Sequence, residues 1–180
     1  VTAYIKETGD FAFLEERVPF YEKDRQGNPL ETASVLEHVK RALTFTRTDL
    51  GTHGLPLLGF ADWNDTINLT KGAESLFSAH LYGRALNEFI ALLDYLGRQD
   101  EAGEWRKAHA EMQARVEQHA WDGEWYVMYF DHDGTPVGSH NNQYGKIHLN
   151  GQSWAVLSGF ASPERARQAM DSVYRHLNTK

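Results

Sequence analysis

Apolar positions recur at helical spacing along most of the chain, and this pattern predicts a mainly helical fold. The longest periodic stretches cover residues 31–49, 75–98, 101–121, 151–160 and 163–177. Near the start, residues 1–6 (VTAYIK) predict the last turns of a helix that ends at Thr8-Gly9-Asp10. Residues 11–18 (FAFLEERV) predict a second helix that ends at Pro19.

Two regions interrupt the helical period. Residues 52–75 place Gly, Pro, Asn and Asp at close intervals, so a regular helix is not expected there. Residues 124–138 change period, with WYVMYF followed by DHDG and TPVG. This second pattern predicts a short β-hairpin.

Short turns join consecutive helical stretches at ETGD, LGRQD and FASPE, which predicts helical hairpins. Repeated hairpins are typical of a bundle, a solenoid or an α/α toroid. The hairpin spacing is irregular and large aromatic-rich loops interrupt it, which favours a toroid over a regular repeat array. We therefore expect an all-α fold, part of an (α/α)6 toroid with a small β-hairpin insertion.

Composition and charge limit the possible partners. The chain has 180 residues, no cysteine and a net charge of −7. Scattered Lys and Arg in an acidic chain argue against nucleic acid, and no apolar run is long enough to span a bilayer, so no membrane partner is expected. The lack of cysteine excludes disulfides and fits a reducing compartment, so we expect a cytoplasmic location. The nine histidines show no metal-ligand spacing, and no metal is expected.

Residues 54–69 (GLPLLGFADWNDTINL) are the segment best suited to chemistry. They place Asp62, Trp63, Asn64 and Asp65 side by side in a long connection, and long connections in compact domains are often functional. An indole can pack on a sugar ring, an amide and a carboxylate can bind hydroxyls, and a desolvated carboxyl can stay protonated and act as an acid. The other interpretation is an Asx-type turn with Trp63 in the core. Spacing alone does not decide between the two.

The same segment, followed by GAESLF, resembles the catalytic-loop signature of the glycoside hydrolase family 94 phosphorylases. Further stretches are similar in the same order: YIKETGDFAFLEERVPFY, WDGEWYVMYFDHDGTPVGS, GKIHLNGQSWAVLSGF and RARQAMDSVYRHLNT. The resemblance spans essentially the whole chain. It implies that residues 1–180 are a single partial domain, an excerpt of the catalytic (α/α)6 toroid of a longer enzyme.

The resemblance also implies roles for the motif residues. Asp65 matches the family's general acid, and Trp63 matches a residue in the subsite of the non-reducing glucosyl unit. Asp62 and Asn64 match positions that shape the site or bind hydroxyls. Inorganic phosphate, as co-substrate, would attack the anomeric carbon with inversion while Asp65 protonates the leaving oxygen, so no cofactor is implied. The implied reaction converts a β-linked, cellobiose-like glucosyl disaccharide to α-glucose 1-phosphate and a free sugar, in a full-length enzyme expected to be a homodimer.

Two other functions stay open. An inverting glycoside hydrolase on the same toroid would need a second carboxylate that activates water. A non-catalytic carbohydrate-binding helical module would keep the aromatic faces without needing a protonated Asp65.

Residues outside the motif have mainly structural interpretations. Glu74 is expected in the first turn of a helix, where an acidic residue suits the helix dipole. Trp125 and Tyr126 are expected to pack in the core or a loop. Residues 141–146 either border the acceptor sugar or form a solvated loop, and Gln152 and Trp154 match a family stretch near the site.

Overall fold

The computed structural model describes residues 1–59, 64 and 67–178. Six α-helices occur among these residues: α1 (Thr2–Thr8), α2 (Val35–Thr48), α3 (Leu76–Tyr95), α4 (Gln99–His119), α5 (Leu149–Leu157) and α6 (Pro163–Leu177), with a 3₁₀ helix at Phe11–Glu15. Five short strands accompany them: β1 (Arg17–Pro19), β2 (Thr32–Ser34), β3 (Glu74–Ser75), β4 (Tyr129–Phe130) and β5 (Pro136–Val137). No helix in the described ranges is long and apolar enough to cross a membrane.

The predicted helices in the second half of the chain are confirmed, and local chemistry explains where several helices begin and end. α3 begins after Ser75, whose hydroxyl accepts a hydrogen bond from the N–H of Ser78 at 3.1 Å. α6 begins at Pro163, which suits a first turn because it lacks an N–H, and Ser162 caps it. α1 ends at Gly9, whose φ of 69° is the left-handed conformation that glycine adopts without strain.

Residues 1–45 form one compact unit, and here the sequence prediction needs a correction. The predicted helix over residues 11–18 is wrong in its second half, because only Phe11–Glu15 is helical and β1 pairs antiparallel with β2. The same pairing makes α2 start later than the predicted residue 31. Pro19 contributes to the difference, since a proline disfavours the helical conformation of the residue before it and is tolerated in an edge strand.

Residues 46–180 form the second compact unit, in which α3 packs against α4 and α5, and α5 packs against α6. The turns LGRQD and FASPE therefore join helical hairpins, as predicted. α3 supplies much of the core through its buried apolar residues, which include Leu76, Phe77, Ala79, Tyr82, Leu86, Phe89 and Leu93. This packing places the start of α3 in the core of the unit.

The predicted β-hairpin is confirmed as β4 and β5, which pair antiparallel with Tyr129 opposite Val137. β3 adds a third strand in the order β3-β4-β5, with Glu74 opposite Phe130. The expectation of a helical fold with a small β-hairpin insertion is thus confirmed, and the described residues add β3 to the hairpin and a second small antiparallel sheet, β1–β2. β3 carries no sequence signal of its own, because two residues are too few to show a strand period.

Candidate active site

Three of the four predicted site residues, Asp62, Trp63 and Asp65, lie outside the described residues. Asn64 is described: it lies half-buried in a bend, and its backbone carbonyl accepts a hydrogen bond from the N–H of Ile67 at 2.9 Å. The geometry of the candidate site is therefore built from the residues that flank the motif and from the elements that hold them.

Apolar residues on both sides of the motif pack on one cluster, formed by Phe77, Met128 and Tyr129 and called here the apolar platform. The motif flanks contribute Leu58, Ile67 and Leu69 to this packing, and Val137 and Trp154 complete it. The chain thus enters and leaves the motif over the same cluster. Burying such side chains stabilises the arrangement by about 1.5–3 kcal/mol each when burial is complete.

Backbone hydrogen bonds tie the flanks to the three-stranded sheet. The N–H of Leu58 donates to the carbonyl of Ala73 at 2.8 Å, and Leu57 forms an isolated antiparallel bridge with Glu74. On the other side, the N–H of Thr70 donates to the Asp131 carboxylate at 3.3 Å in the turn between β4 and β5. The sheet therefore positions both ends of the motif segment.

Asp131 is held in its ionised form by the turn in which it lies. The backbone N–H of His132 donates to its carboxylate at 2.7 Å, and this hydrogen bond is the main cause that lowers the pKa of Asp131. A carboxylate that stays charged makes a stronger acceptor for the Thr70 N–H.

Glu74 departs from its sequence prediction. It lies in β3 rather than in the first turn of α3, and its side chain is only 2% exposed. One carboxylate oxygen, Oε1, accepts hydrogen bonds from the N–H groups of His53 and Leu55, each at 3.0 Å. The other oxygen, Oε2, lies 2.5 Å from Nδ1 of His53. The His53 ring in turn stacks on Phe130, with ring centroids 4.2 Å apart.

A pocket of about 560 Å³ opens beside the motif flanks. Its lining residues come from both flanks and from the approach to β3: Asp49, Leu57, Leu58, Gly59, Asn68, Leu69, Thr70, Lys71, Gly72 and Ala73. The lining mixes apolar side chains with a carboxylate, an amide and an ammonium group. Such a mixture suits a sugar, which offers both a C–H face and hydroxyls.

Gln152 and Trp154 have structural roles here. The fully buried Gln152 amide accepts from the N–H of Tyr126 and donates to the carbonyl of the same residue, both at 2.8 Å. Trp154 meets Phe77 of the platform edge to face, with ring centroids 5.8 Å apart. Both residues therefore support the hairpin and the platform on which the motif flanks rest.

The packing roles predicted for Trp125 and Tyr126 are confirmed. Trp125 is buried and donates from Nε1 to the carbonyl of Gly138 at 2.9 Å. Tyr126 is fully buried, and its hydroxyl donates to the carboxylate of Glu117. Burial and the Glu117 carboxylate both raise the pKa of Tyr126, so this phenol stays protonated and cannot serve as a base at neutral pH.

The run 141–146 is mostly exposed, which agrees with a solvated loop. Asn142 differs from its neighbours, since its side-chain oxygen accepts from the N–H groups of Gly138 and Ser139 at 2.9 and 2.8 Å. It fixes the chain where it leaves β5. Within the described part of the chain, no group of three or more His, Asp or Glu side chains is placed to hold a metal ion.

Comparisons with known proteins test the predicted family. The family described as "Glycosyl hydrolase 94 superfamily, catalytic domain" matches residues 1–180 of the chain. Solabiose phosphorylase of Paenibacillus borealis is 38% identical over 99% of this chain and 23% of its own length. N,N'-diacetylchitobiose phosphorylase of Vibrio proteolyticus is 37% identical over 98% of this chain and 21% of its own length. The chain therefore spans about a fifth of the length of these relatives.

Among solved structures, the GH78 family rhamnosidase of Bacillus sp. GL1 is similar in fold. It superposes with a TM-score of 0.62 at 20% identity, over 79% of this chain and 15% of that chain. An identity this low supports a common fold and nothing finer. The match over all 180 residues, by contrast, confirms the family expected from the motif: the chain belongs to the glycosyl hydrolase 94 superfamily and lies in its catalytic domain.

Proposed function

We propose that the intact protein carrying this chain is a phosphorylase that cleaves a β-linked disaccharide with inversion. The observation that carries the proposal is the whole-chain family match, together with two relatives that are both named phosphorylases. The two names refer to different disaccharides, so the identity of the donor sugar is a separate step of the proposal. We take it to be a glucosyl unit, as in cellobiose, which would give α-glucose 1-phosphate and a free sugar.

Asp65 is the proposed general acid. Its protonated carboxyl donates to the glycosidic oxygen as the bond from that oxygen to the anomeric carbon breaks. A phosphate oxygen forms the new bond to the same carbon from the opposite face. Phosphate is already an anion, so no side chain has to act as a base, and no cofactor takes part.

Trp63, Asp62 and Asn64 are proposed to bind the donor sugar. The indole of Trp63 packs on the C–H face of the ring, while the carboxylate and the amide bind hydroxyls. The described flanks support this arrangement, because Leu58 before the motif and Ile67 after it both pack on the apolar platform. Apolar surroundings of that kind favour the protonated form of a carboxyl group.

The wider architecture is proposed on the same basis. The helical hairpins α3–α4 and α5–α6 support a place in an (α/α)6 toroid, to which residues 1–180 would contribute one partial domain. A cytoplasmic location and a homodimer of the full-length enzyme stay predictions. Phosphate and disaccharide are the proposed partners, with no nucleic acid or membrane.

The test is phosphate-dependent release of the sugar 1-phosphate by the intact protein and its Asp65→Asn variant. Cellobiose, solabiose and N,N'-diacetylchitobiose are assayed in parallel, with the exposed Asp171→Asn on α6 as the matched control. We expect Asp65→Asn to lower kcat by about 10²- to 10⁴-fold, the usual contribution of a general acid, and Asp171→Asn to have no effect.

Other outcomes would select another function. Cleavage that proceeds equally well without phosphate would show a glycoside hydrolase, and release of the α-anomer from the β-linked substrate would show that it is the inverting type. Sugar binding without turnover of any substrate, unchanged in Asp65→Asn, would show a carbohydrate-binding module.

A further inference from the structure

Glu74 is a buried carboxylate that the proposed chemistry does not use. We infer that it is a positioning residue, which holds the segment entering the motif and thereby places the acid Asp65. The inference rests on the proposed function, because the role of that acid is part of the proposal.

Neither the start of α3 nor the pairing of β3 requires the side chain of Glu74. Ser75 already caps α3 through its own hydroxyl, and β3 pairs with β4 through the backbone. A carboxylate that is only 2% exposed is costly unless its oxygens accept hydrogen bonds. A residue needed only for the pairing of β3 could be small and apolar, so the buried carboxylate must have another role.

Among the described residues, the hydrogen bonds of the Glu74 side chain go to one short segment. Oε1 accepts from the N–H groups of His53 and Leu55, and Oε2 contacts Nδ1 of His53. Leu55 is fully buried, so its N–H has no access to water in place of this acceptor. The segment is thus fixed by a charged acceptor, which binds more strongly than a neutral one.

The chain closes tightly around this carboxylate. A Cβ atom added at Gly51 would lie 2.4 Å from Cγ of Glu74, so only glycine allows the approach. The His53 ring is itself held, since it stacks on Phe130 and meets His119 edge to face at 5.1 Å. The ring therefore presents Nδ1 to the carboxylate in one orientation.

The fixed segment leads directly into the motif. Two residues after Leu55, Leu57 bridges to Glu74, and the next residue, Leu58, packs on the apolar platform. Asp65 follows a few positions later in the sequence. A shift of residues 53–55 would move the point from which the chain enters the motif, and a displacement of the acid by about 1 Å can cost about 100-fold in rate.

The experiment uses the intact enzyme and two donor substrates. One is the disaccharide that the wild-type enzyme cleaves, and the other is the β-fluoride of the same donor sugar. In the second reaction, phosphate bonds to the anomeric carbon and fluoride leaves with its electron pair, so little help from an acid is required. A misplaced acid should slow the first reaction far more than the second, whereas general loss of folded enzyme should slow both equally.

Glu74→Gln keeps the shape of the side chain but removes its charge. We expect kcat for the disaccharide to fall by about 10- to 100-fold, with much less change for the fluoride and in KM. Glu104→Gln is the matched control, because Glu104 is an exposed α4 residue that pairs with Lys107 at the surface. It should behave as wild type.

His53 gives a second test that does not depend on the folding of the Glu74 variant. His53→Leu removes the donor to Oε2 and should show the same selective loss on the disaccharide. His53→Asn places an amide N–H near the position of Nδ1 and should restore most of the rate. Equal rates for these two variants would contradict the inference.

The outcomes separate this inference from the proposed function. An active wild type with an inactive Asp65→Asn, but with Glu74→Gln equal to wild type, would overturn the positioning role alone. Equal losses on both substrates would also overturn it, because they would indicate a purely structural role. A wild type that forms no sugar 1-phosphate would overturn the proposed function, and this inference with it.

Discussion

Two glycines inside helices provide a sharp test of the packing in the second unit. Gly83 lies in α3 and Gly103 in α4. A Cβ atom at Gly83 would lie 2.4 Å from one carbon of the buried Phe160 ring and 2.8 Å from two others, whereas one at Gly103 would meet nothing within 4 Å. Gly→Ala should therefore have opposite effects at the two positions.

The magnitudes follow from two opposing contributions. Replacing a helical glycine with alanine stabilises a helix by about 0.5–1 kcal/mol. Overpacking a filled core costs about 1–3 kcal/mol. Phe160 has little room to move away, since the ring centroids of His80 and His109 lie 5.9 and 4.8 Å from the centroid of its own ring. We expect Gly83→Ala to destabilise α3 by about 1–2 kcal/mol and Gly103→Ala to stabilise α4 by about 0.5–1 kcal/mol.

Hydrogen exchange followed by mass spectrometry suits this test, because it reports local opening even in a protein of several domains. A change of about 1.4 kcal/mol corresponds to a tenfold change in exchange rate. Peptides from α3 should thus exchange roughly tenfold faster in Gly83→Ala. Adding Phe160→Leu should relieve the overlap, so the double variant should lose less stability than the sum of the two single changes. Slower exchange in Gly83→Ala, or strict additivity with Phe160→Leu, would refute the packing argument.

Two further predictions concern buried polar groups. Gln152→Leu should destabilise the hairpin by about 2–4 kcal/mol, because it leaves the N–H and the carbonyl of Tyr126 without their partner; the exposed Gln99→Leu is the control, and equal losses of thermal stability would contradict this. Burial lowers the pKa of His80 from 6.5 to about 3, so the unfolded chain binds a proton that the folded chain does not in this pH range. The free energy of unfolding should therefore fall as the pH drops from about 6.5 towards 3, by up to about 1.4 kcal/mol per pH unit. His80→Leu should flatten this slope in acid-unfolding measurements, and an unchanged slope would show that His80 does not contribute.

The sequence predicts the helical part of this fold well, because helix signals are local. The helical period in α3 and α6 extends over several turns, and the turn FASPE contains both the capping Ser162 and Pro163 at the helix start. The β4–β5 hairpin is predicted for the same reason, since its strands and its turn are consecutive. The sequence predictions are wrong where the paired strands are far apart in the sequence. β1 pairs with β2 across a loop, and β3 pairs with β4 from a different part of the chain.

Gln152 illustrates why buried polar residues escape a reading of the sequence. A glutamine in a helix is usually exposed, and nothing beside it in the chain shows that its amide will face a backbone 26 residues away. The resemblance places it near the site, and the structure gives the physical reason. Its amide holds Tyr126, two residues before the platform residue Met128, and so links α5 to the surface beneath the motif flanks.

In the candidate site, too, some residues are close together in the sequence and others are far apart. The proposed chemical groups belong to one short motif, whereas the groups that hold the flanks of the motif come from distant positions. Asp62, Trp63, Asn64 and Asp65 are contiguous, and the family resemblance of their segment allows their chemistry to be proposed from the sequence. The groups that hold their flanks are not: Glu74 lies 21 residues from His53, and Asp131 lies 61 residues from Thr70. Substitutions confined to the motif would therefore alter the proposed acid and the sugar contacts but leave the positioning unchanged. Only changes at a remote carboxylate such as Glu74 can separate the two contributions, and this is why the comparison of disaccharide with fluoride carries the most information about the site.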